Sequence, residues 1–584
     1  MIKLKFTALI LSLFLAACAH APRQQTDVQD PEQRILDMSA VLPSISGTDK
    51  EPAYPKMELT EEMLYTFLLA DIAAQRGQTD FAAQAYLELA KKTRDPRAAR
   101  RAAQLAYETR QMDQAREAFQ LWHELEPQIA MPRQMLATVL LGGGKLNEAK
   151  PLLVELLAAD AKNAGRSFAQ LYPLLARNAD RAAVHKLLQE LAKPYAGIAE
   201  VHWVLAQSAE TAALHEEALL EIRQARKLKP DWSGALLLEA QLLQLSAPAE
   251  ALALSQKYLQ DYPDANEVRL FYARTLLEQK QYPESRVQFQ ELLKKQPDNA
   301  ELAFAIALLS IQLGELDRAE VELKQTLKAG RKDAATVHYY LGQLNEAKKN
   351  DALALQEYEQ VTEGEYAFTS RLRMTYLLAK QGKSKEAREI LHKTAAKNNQ
   401  QRAQLILTEG QILRDAKQYD AAFKVLAKGL EKLPEHPDLL YEAAMVADKL
   451  GKFATVEEML RKLIKVAPDH AHAYNALGYA LLDRKVRLEE AMKLIEKAHQ
   501  LAPDDAAILD SVGWGHFLLG NMSKSLEFMR RAYATLPDPE IAAHLGEVLW
   551  KQNAREEAKN IWQENLKKNP DNAVLKAVIK KFIP

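Results

Sequence analysis

Two short segments carry side chains that could bind a phosphate group or a metal ion. Residues 142–145 are Gly-Gly-Gly-Lys, but a phosphate-binding loop needs Ser or Thr after the lysine, and Leu146 stands there. His470 and His472 lie beside Asp469, yet no HExxH motif or cysteine pair completes a zinc site. The glycine run suits a turn between helices, and the Asp-His segment suits a capped helix start. We therefore predict no nucleotide, metal or other cofactor.

A third segment could supply the groups for nucleophilic catalysis. Asp510 and Ser511 are followed, little more than one helical turn later, by His516. A catalytic triad also needs an oriented base and an oxyanion hole. The stretch ILDSVGWGHFLLGN around these residues predicts a helix interior, which offers neither. The sequence therefore predicts a protein that is not an enzyme and has no small-molecule substrate.

Cys18 is the only cysteine in the chain. Lys3 and Lys5 precede an apolar run from Phe6 to Leu15. That run is too short to span a bilayer, which takes roughly 20 residues, and has the size of a signal-peptide core. It ends in Leu-Ala-Ala-Cys, which resembles the lipobox of bacterial lipoproteins. The resemblance implies that residues 1–17 are a lipoprotein signal peptide and that the Cys18 sulfur is acylated. The alternative is a chance thiol in an ordinary secretory signal.

The residues after Cys18 bear on location and reach. Ala19 stands where an aspartate would retain an enteric lipoprotein at the inner membrane. We therefore expect a protein that is lipid-anchored in the outer membrane and faces the periplasm. Residues 18–58 are polar and broken by prolines, so they cannot bury enough apolar surface to fold alone and predict a flexible tether.

The overall charge excludes one class of partner. The chain has 77 basic and 78 acidic side chains. A nucleic-acid-binding protein would show a basic excess or a basic stripe. We therefore expect no nucleic-acid partner, and attachment to the membrane through the lipid anchor alone.

From residue 59 onward the sequence repeats, with clear copies beginning at His338, His472 and Ala542. These copies resemble the tetratricopeptide repeat (TPR), a pair of helices A and B. Helix A carries Leu-Gly at positions 7 and 8, and helix B carries a small residue at 20, a bulky one at 24 and often Pro at 32. This frame places repeat starts near residues 63, 96, 130, 164, 199, 232, 266, 300, 335, 368, 403, 437, 471, 506 and 539.

Helix packing explains the repeat frame. Position 8 is Ala or Gly in twelve of the fifteen repeats, and position 20 is Ala or Ser in fourteen. Two antiparallel helices approach closely only where such small side chains meet, and stacked hairpins bury the apolar faces that no single hairpin can bury. We predict an all-α fold, a TPR superhelical solenoid of about 15 repeats over 59–570. A C-terminal capping helix is expected within 571–584.

Positions 2, 5, 9 and 12 of helix A line the concave groove of TPR proteins. In the last four repeats these positions hold aromatic, methionine and polar side chains, and aromatic residues and methionine are favoured anchors at protein interfaces. The alternative is that several of them pack in the solenoid core. The predicted groove residues are Tyr441, Met445, His472, Asn475, Tyr479, Asp510, Trp514, Phe517, Glu547 and Trp550.

The order of parts resembles a narrower family. A lipobox, a proline-rich tether, the opening segment LTEEMLYTFLLADIAAQRGQTDFAAQAYLELAKKTRDPRAARRA and an uninterrupted TPR array resemble the LbcA-type lipoprotein adaptors of proteobacteria. The resemblance implies binding to a periplasmic carboxyl-terminal processing protease and to the cell-wall hydrolases that this protease degrades. Periodicity alone predicts only a protein-binding scaffold. The competing hypothesis is a structural TPR lipoprotein of an export or assembly machine, such as exopolysaccharide secretion or pilus assembly.

Overall fold

The computed structural model describes residues 54–583. The signal peptide, Cys18 and nearly all of the expected tether lie outside this range. Within it, every regular element is helical and no strand occurs, which confirms the predicted all-α fold. The chain divides after Arg331 into two compact units, and each is described by itself.

The first unit, unit 1, consists of eight consecutive helical hairpins in its described part. Their sixteen helices are α1 (Glu61–Gln75), α2 (Thr79–Thr93), α3 (Pro96–Glu108), α4 (Met112–Leu125), α5 (Ala130–Gly142), α6 (Leu146–Ala159), α7 (Ala164–Leu175), α8 (Arg181–Ala192), α9 (Ala199–Thr211), α10 (His215–Leu228), α11 (Ser233–Ser246), α12 (Pro248–Asp261), α13 (Asn266–Glu278), α14 (Tyr282–Lys295), α15 (Ala300–Gln312) and α16 (Leu316–Lys328).

The second unit, unit 2, has seven hairpins followed by one further helix. Its helices are α17 (Ala334–Ala347), α18 (Asp351–Glu359), α19 (Ala367–Lys380), α20 (Ser384–Lys393), α21 (Asn399–Asp415), α22 (Tyr419–Lys432), α23 (Pro437–Lys449), α24 (Phe453–Val466), α25 (Ala471–Asp483), α26 (Leu488–Leu501), α27 (Ala506–Leu518), α28 (Met522–Thr535), α29 (Pro539–Lys551), α30 (Arg555–Lys568) and α31 (Ala573–Phe582).

The fifteen hairpins correspond to the fifteen predicted repeats. The first helix of each hairpin begins within four residues of the predicted start, and the largest offset is at α21, which begins at Asn399 instead of 403. Position 20 is fully buried in nearly all repeats, for example at Ala115, Ala422 and Ala558. The small residues at position 20 therefore lie at helix–helix contacts, as the repeat pattern predicted.

In unit 2, glycine at position 8 lies directly under the bulky residue at position 24. A Cβ atom added to Gly546 would lie 2.0 Å from Nε1 of Trp562, and one added to Gly342 would lie 2.5 Å from the Tyr358 ring. Trp562 is completely buried. Only glycine leaves space for an aromatic ring to rest on the backbone of the facing helix.

Two of the repeats that depart from the pattern show how the packing adjusts. At α11, position 8 is Glu239, whose carboxylate is nearly fully buried and pairs with Arg223 and Arg226. The facing position 24 is the small Ser255, so a larger residue on one helix is matched by a smaller one on the other. In the repeat that begins at 164, Val184 is buried in place of the expected Ala183, so the frame shifts there by one residue.

Most turns between paired helices contain a residue with positive φ. Thirteen of the fifteen pass through a residue with positive φ, such as Gly144 at 71° and Lys417 at 58°, which is the usual way to end a helix and reverse the chain. Gly144 thus lies in a helix–helix turn, as predicted for the 142–145 segment. In the described range, no helix is both long and apolar enough to cross a membrane.

Candidate protein-binding surfaces

Four predicted groove residues of unit 2 meet around His544. The Trp514 ring stacks on the His544 ring with centroids 4.3 Å apart, and the Tyr479 ring lies 6.2 Å from it. Phe517 extends the cluster, 5.1 Å from Trp514. These side chains come from α25, α27 and α29, the first helices of three successive hairpins. We call Tyr479, Asp510, Trp514, Phe517 and His544 the aromatic cluster.

Asp510 is the buried charge of the aromatic cluster. It is 7% exposed, and His544 Nδ1 donates a hydrogen bond to Asp510 Oδ2 over 2.8 Å. Asp510 Oδ1 is buried and has no hydrogen-bond partner in the described chain, although a buried carboxylate oxygen normally has one. Burial alone would lower the pKa of His544, but the neighbouring Asp510 outweighs it together with Glu540 and Glu547, so that pKa is raised.

Carboxylates surround Tyr479 more densely than cations do. Burial raises the pKa of the Tyr479 hydroxyl, and the charges of Asp510, Asp483, Glu540 and Asp448 raise it further. Asp448 pairs with an arginine, at 3.3 Å. Asp483 and Glu540 form no ion pair within residues 54–583. The side of the aromatic cluster around Tyr479 is therefore acidic, whereas Lys581 lies at a cavity beside Trp514.

An open cavity of about 440 Å³ lies beside the aromatic cluster. Trp514 and His544 form one side, and Val574 and Val578 of α31 form part of the other. At its rim Lys581 pairs with Glu547 over 2.8 Å. The cavity offers an apolar wall with charged groups at the edge, which is the usual make-up of a protein-binding hot spot.

The other predicted groove residues form two smaller groups. The Tyr441 ring lies 5.4 Å from His470, and the exposed His472 ring lies 6.4 Å from it. Met445 and Asn475 are half-buried on neighbouring helices. Their assignment to a binding groove stays a prediction.

Trp550 contacts the end of the repeat array. Its ring lies 5.8 Å from both Trp562 and Phe582. Because Trp562 is fully buried, this contact favours the core alternative for Trp550. Glu547, three residues earlier, instead reaches the cavity rim.

His544 is the residue that the sequence reasoning missed. It occupies position 6 of helix A, between the positions 5 and 9 that define the groove pattern. The signal available in the sequence was spacing, since His544 follows Asp510 by 34 residues, one repeat length. Residues about one repeat length apart on the first helices of adjacent hairpins lie side by side in a solenoid, so an acid and a histidine at that spacing can pair.

The three residues considered for catalysis have separate partners. Asp510 pairs with His544, and the Ser511 hydroxyl donates to the Ala507 carbonyl over 2.9 Å. The His516 ring lies 6.0 Å from Phe528, and burial lowers its pKa. His470, considered for metal binding, accepts a hydrogen bond from the amide of Ala473 and so caps α25. The contacts of Ser511, His516 and His470 are each explained by helix packing or capping.

A second candidate surface lies at the start of unit 1. Helix α1 has no single apolar face, because its apolar side chains are spread around the helix, and its only buried residues are Ala70 and Ala73. Five of its large apolar side chains, Leu64, Tyr65, Phe67, Leu68 and Ile72, are 43–68% exposed. Nine of the 24 large apolar side chains exposed in the described chain lie between residues 54 and 81, whereas the remainder are scattered. The nine, here called the α1 surface, are Tyr54, Met57, Leu59, Leu64, Tyr65, Phe67, Leu68, Ile72 and Phe81.

The α1 surface has the make-up of a contact site. A concentrated apolar patch on a soluble domain marks a binding site. A cavity of about 530 Å³ opens next to it, with Met63 and Phe67 in its apolar wall and Arg97 and Arg101 among its lining residues. The repeat pattern gave no sign of this surface, because the pattern places only the small side chains that pack against α2.

Comparison with known sequences agrees with the repeat reading. The chain matches the tetratricopeptide repeat family over residues 242–294, 282–344 and 413–478. It is 34% identical over 546 residues to the TPR repeat-containing protein PA4667 of Pseudomonas aeruginosa, covering 92% of this chain and 89% of that protein. It is 24% identical over 124 residues to the small glutamine-rich tetratricopeptide repeat-containing protein 2 of Mycosarcoma maydis, covering 21% of this chain and 35% of that protein.

Solved structures with similar stretches include a TPR protein of Thermus thermophilus. It is 25% identical, with a TM-score of 0.29, over 31% of this chain and 98% of that one. The APC/C heterotetramer Cut9-Hcn1 contains a chain that is 14% identical, with a TM-score of 0.27, over 84% of this chain and 97% of that one.

Proposed function

Because the chain belongs to the family of TPR repeat-containing proteins, we propose that it is a non-catalytic adaptor at the cell envelope. In this proposal it brings a periplasmic carboxyl-terminal processing protease and its cell-wall-hydrolase substrates together. The lipobox-like sequence at Cys18 supports a lipid anchor, and Ala19 in place of an aspartate supports the outer membrane. The partner supplies the hydrolytic chemistry, and this chain supplies binding.

The observation that carries the proposal is the presence of two chemically different surfaces on one chain. The α1 surface is apolar, while the aromatic cluster in unit 2 combines rings with carboxylates. One surface of each kind suits two different partners. A scaffold that holds an enzyme and its substrate raises their effective concentration to the millimolar range, which accelerates the reaction without any catalytic group of its own.

Charge supports a protein partner for the α1 surface over a lipid one. Helix α1 itself contains Glu61, Glu62 and Asp71 and no basic residue, and the nearby Arg97 and Arg101 line the adjacent cavity. An anionic membrane surface attracts basic segments and repels acidic ones. We therefore assign the α1 surface to a protein contact and the membrane attachment to the lipid at Cys18.

The test is capture of envelope proteins on the immobilised mature chain, with each retained protein identified. The adaptor proposal expects a processing protease and at least one cell-wall hydrolase. Retention of an outer-membrane export porin or a pilus component, without a protease, would contradict the proposal and support the export-scaffold alternative. A matched bait with Tyr65→Ala and Leu68→Ala should lose one of the two partners and keep the other.

A further inference from the structure

The buried Asp510 carboxylate at the aromatic cluster calls for a chemical explanation. Asp510 is more than nine-tenths buried, and only one of its two oxygens has a hydrogen-bond partner in the described chain. Leaving a buried charged oxygen unpaired is costly for a folded protein. A charge that is kept at such a cost in a surface groove is commonly there for a ligand.

The neighbouring groups indicate the sign of that ligand. Asp483 and Glu540 are exposed near Tyr479 and have no cationic partner within the described range. Asp510 itself is offset only by His544. The exposed carboxylates of Asp483 and Glu540 therefore present unpaired negative charge to an incoming group, and a positively charged group complements it.

The rings indicate the kind of cation. Trp514 and Tyr479 are half-buried beside this charge, and the faces of tryptophan and tyrosine attract lysine and arginine side chains. Arginine in addition stacks on aromatic rings. The open cavity of about 440 Å³ next to Trp514 has room for the apolar side chain of a neighbouring residue in the same partner segment.

We propose that the aromatic cluster binds a partner protein through a lysine or arginine side chain, with an apolar residue of the same segment in the adjacent cavity. This inference rests on the proposed function, because it names the chemistry of one partner segment of the adaptor. The cation lies over the Tyr479 and Trp514 rings, flanked by Asp483 and Glu540, with the Asp510 charge beneath it. Arginine is the better occupant of the two because it can also stack.

The test uses the mature chain and four labelled peptides. Each is a twelve-residue Gly-Ser peptide with two leucines and, at two fixed positions, Arg, Lys, Gln or Glu. Fluorescence anisotropy should show the Arg and Lys peptides binding at least tenfold more tightly than the Gln peptide, and the Glu peptide binding weakest. Equal affinities for all four would overturn the inference on the unmodified protein, with no variant required.

Variants locate the effect. Asp510→Asn and Trp514→Leu should each weaken Arg-peptide binding at least fivefold, while the helical content measured by circular dichroism stays at the wild-type level. Glu458→Gln is the matched control, because it removes an exposed carboxylate of α24 that lies away from the cluster and has no ion pair in the described chain; it should leave the affinity unchanged. Equal weakening by Glu458→Gln and Asp510→Asn would reduce the effect to overall charge and contradict the inference.

A capture experiment separates this inference from the adaptor proposal. If the wild-type chain retains protease and hydrolase from envelope extract and Asp510→Asn retains both equally, the adaptor stands and the cation site is wrong. If the wild-type chain retains neither, the adaptor fails, and the peptide affinities still decide the cation site.

Discussion

The two units build the same hairpin with different small residues. In unit 1, position 8 is Ala in six of eight repeats and never Gly, as at Ala103 and Ala273. In unit 2, it is Gly in five of seven repeats, as at Gly478 and Gly546. Both choices let the paired helices approach, but glycine alone admits a ring or branched chain onto the backbone, as Trp562 does over Gly546.

This difference extends to the surfaces that the units expose. The candidate site of unit 1 is the α1 surface, whose large apolar side chains are not covered by any other element within residues 54–583. The candidate site of unit 2 is made by pairing across repeats, where Asp510 and His544 meet. One repeat frame thus produces an apolar contact surface and a charged aromatic groove.

The largest effect should come from removing a ring that rests on glycine. Trp562→Ala deletes a fully buried side chain and should lower the free energy of unfolding by about 3–5 kcal/mol. Chemical denaturation of the purified chain measures this. A loss below about 1 kcal/mol would mean that the Gly546–Trp562 contact is not part of the stable core.

Adding a single methyl group tests the glycine rule itself. Gly546→Ala should destabilise unit 2 by about 1–3 kcal/mol, because the new Cβ would overlap Trp562. The matched change in unit 1, Ala103→Gly, should cost only about 1 kcal/mol through helix propensity. If Gly546→Ala were stabilising, as alanine is at an unobstructed helix position, the proposed difference between the units would be refuted.

Partner capture should depend on the exposed apolar side chains of the α1 surface. Tyr65→Ala combined with Leu68→Ala on the α1 surface should weaken capture of one partner by about 2 kcal/mol if either residue is a hot spot. The melting temperature should stay near the parent value, since both side chains are largely exposed. Leu220→Ala removes an equally exposed but isolated apolar residue and serves as the control. Equal losses in the two proteins would argue against a distinct α1 surface.

The smallest effect concerns protonation at the aromatic cluster. Burial disfavours protonated His544, but Asp510 and nearby glutamates raise its pKa. The stabilising pairing is therefore fully present below the ordinary histidine pKa of about 6.5 and is lost as pH rises through the higher folded value. Asp510→Asn should lower the pKa of His544, measured by NMR titration of its ring. An unchanged pKa would mean that Asp510 is not its partner.

The repeat pattern predicted the fold because the helix–helix contacts that it specifies are local in the sequence. Small residues at positions 8 and 20 fix which helix faces meet, so the starts of α3, α5 and α29 follow directly from the sequence. The repeat pattern does not predict compensating pairs such as Glu239 and Ser255, because two unusual positions on facing helices must be considered together. The pattern also does not predict positive φ at non-glycine turn residues such as Lys417, because the surrounding hairpin imposes that conformation.

The candidate sites were less predictable than the fold. The groove pattern supplied Tyr479, Asp510 and Trp514 but not His544, whose role depends on the neighbouring repeat. Trp550 fits the groove pattern, yet its contacts with Trp562 and Phe582 depend on how α31 packs. The exposure of the α1 surface depends on how the other described helices pack around α1, which the repeat pattern does not specify.

The most direct test of the adaptor is its concentration dependence in a purified system. Protease and hydrolase are held at fixed low concentrations, and the degradation rate is measured while the mature chain is added. Co-binding predicts a rate that rises, reaches a maximum and then falls, because excess adaptor binds the two partners on separate molecules. A rate that rises to a plateau, or one that does not change, would contradict the account.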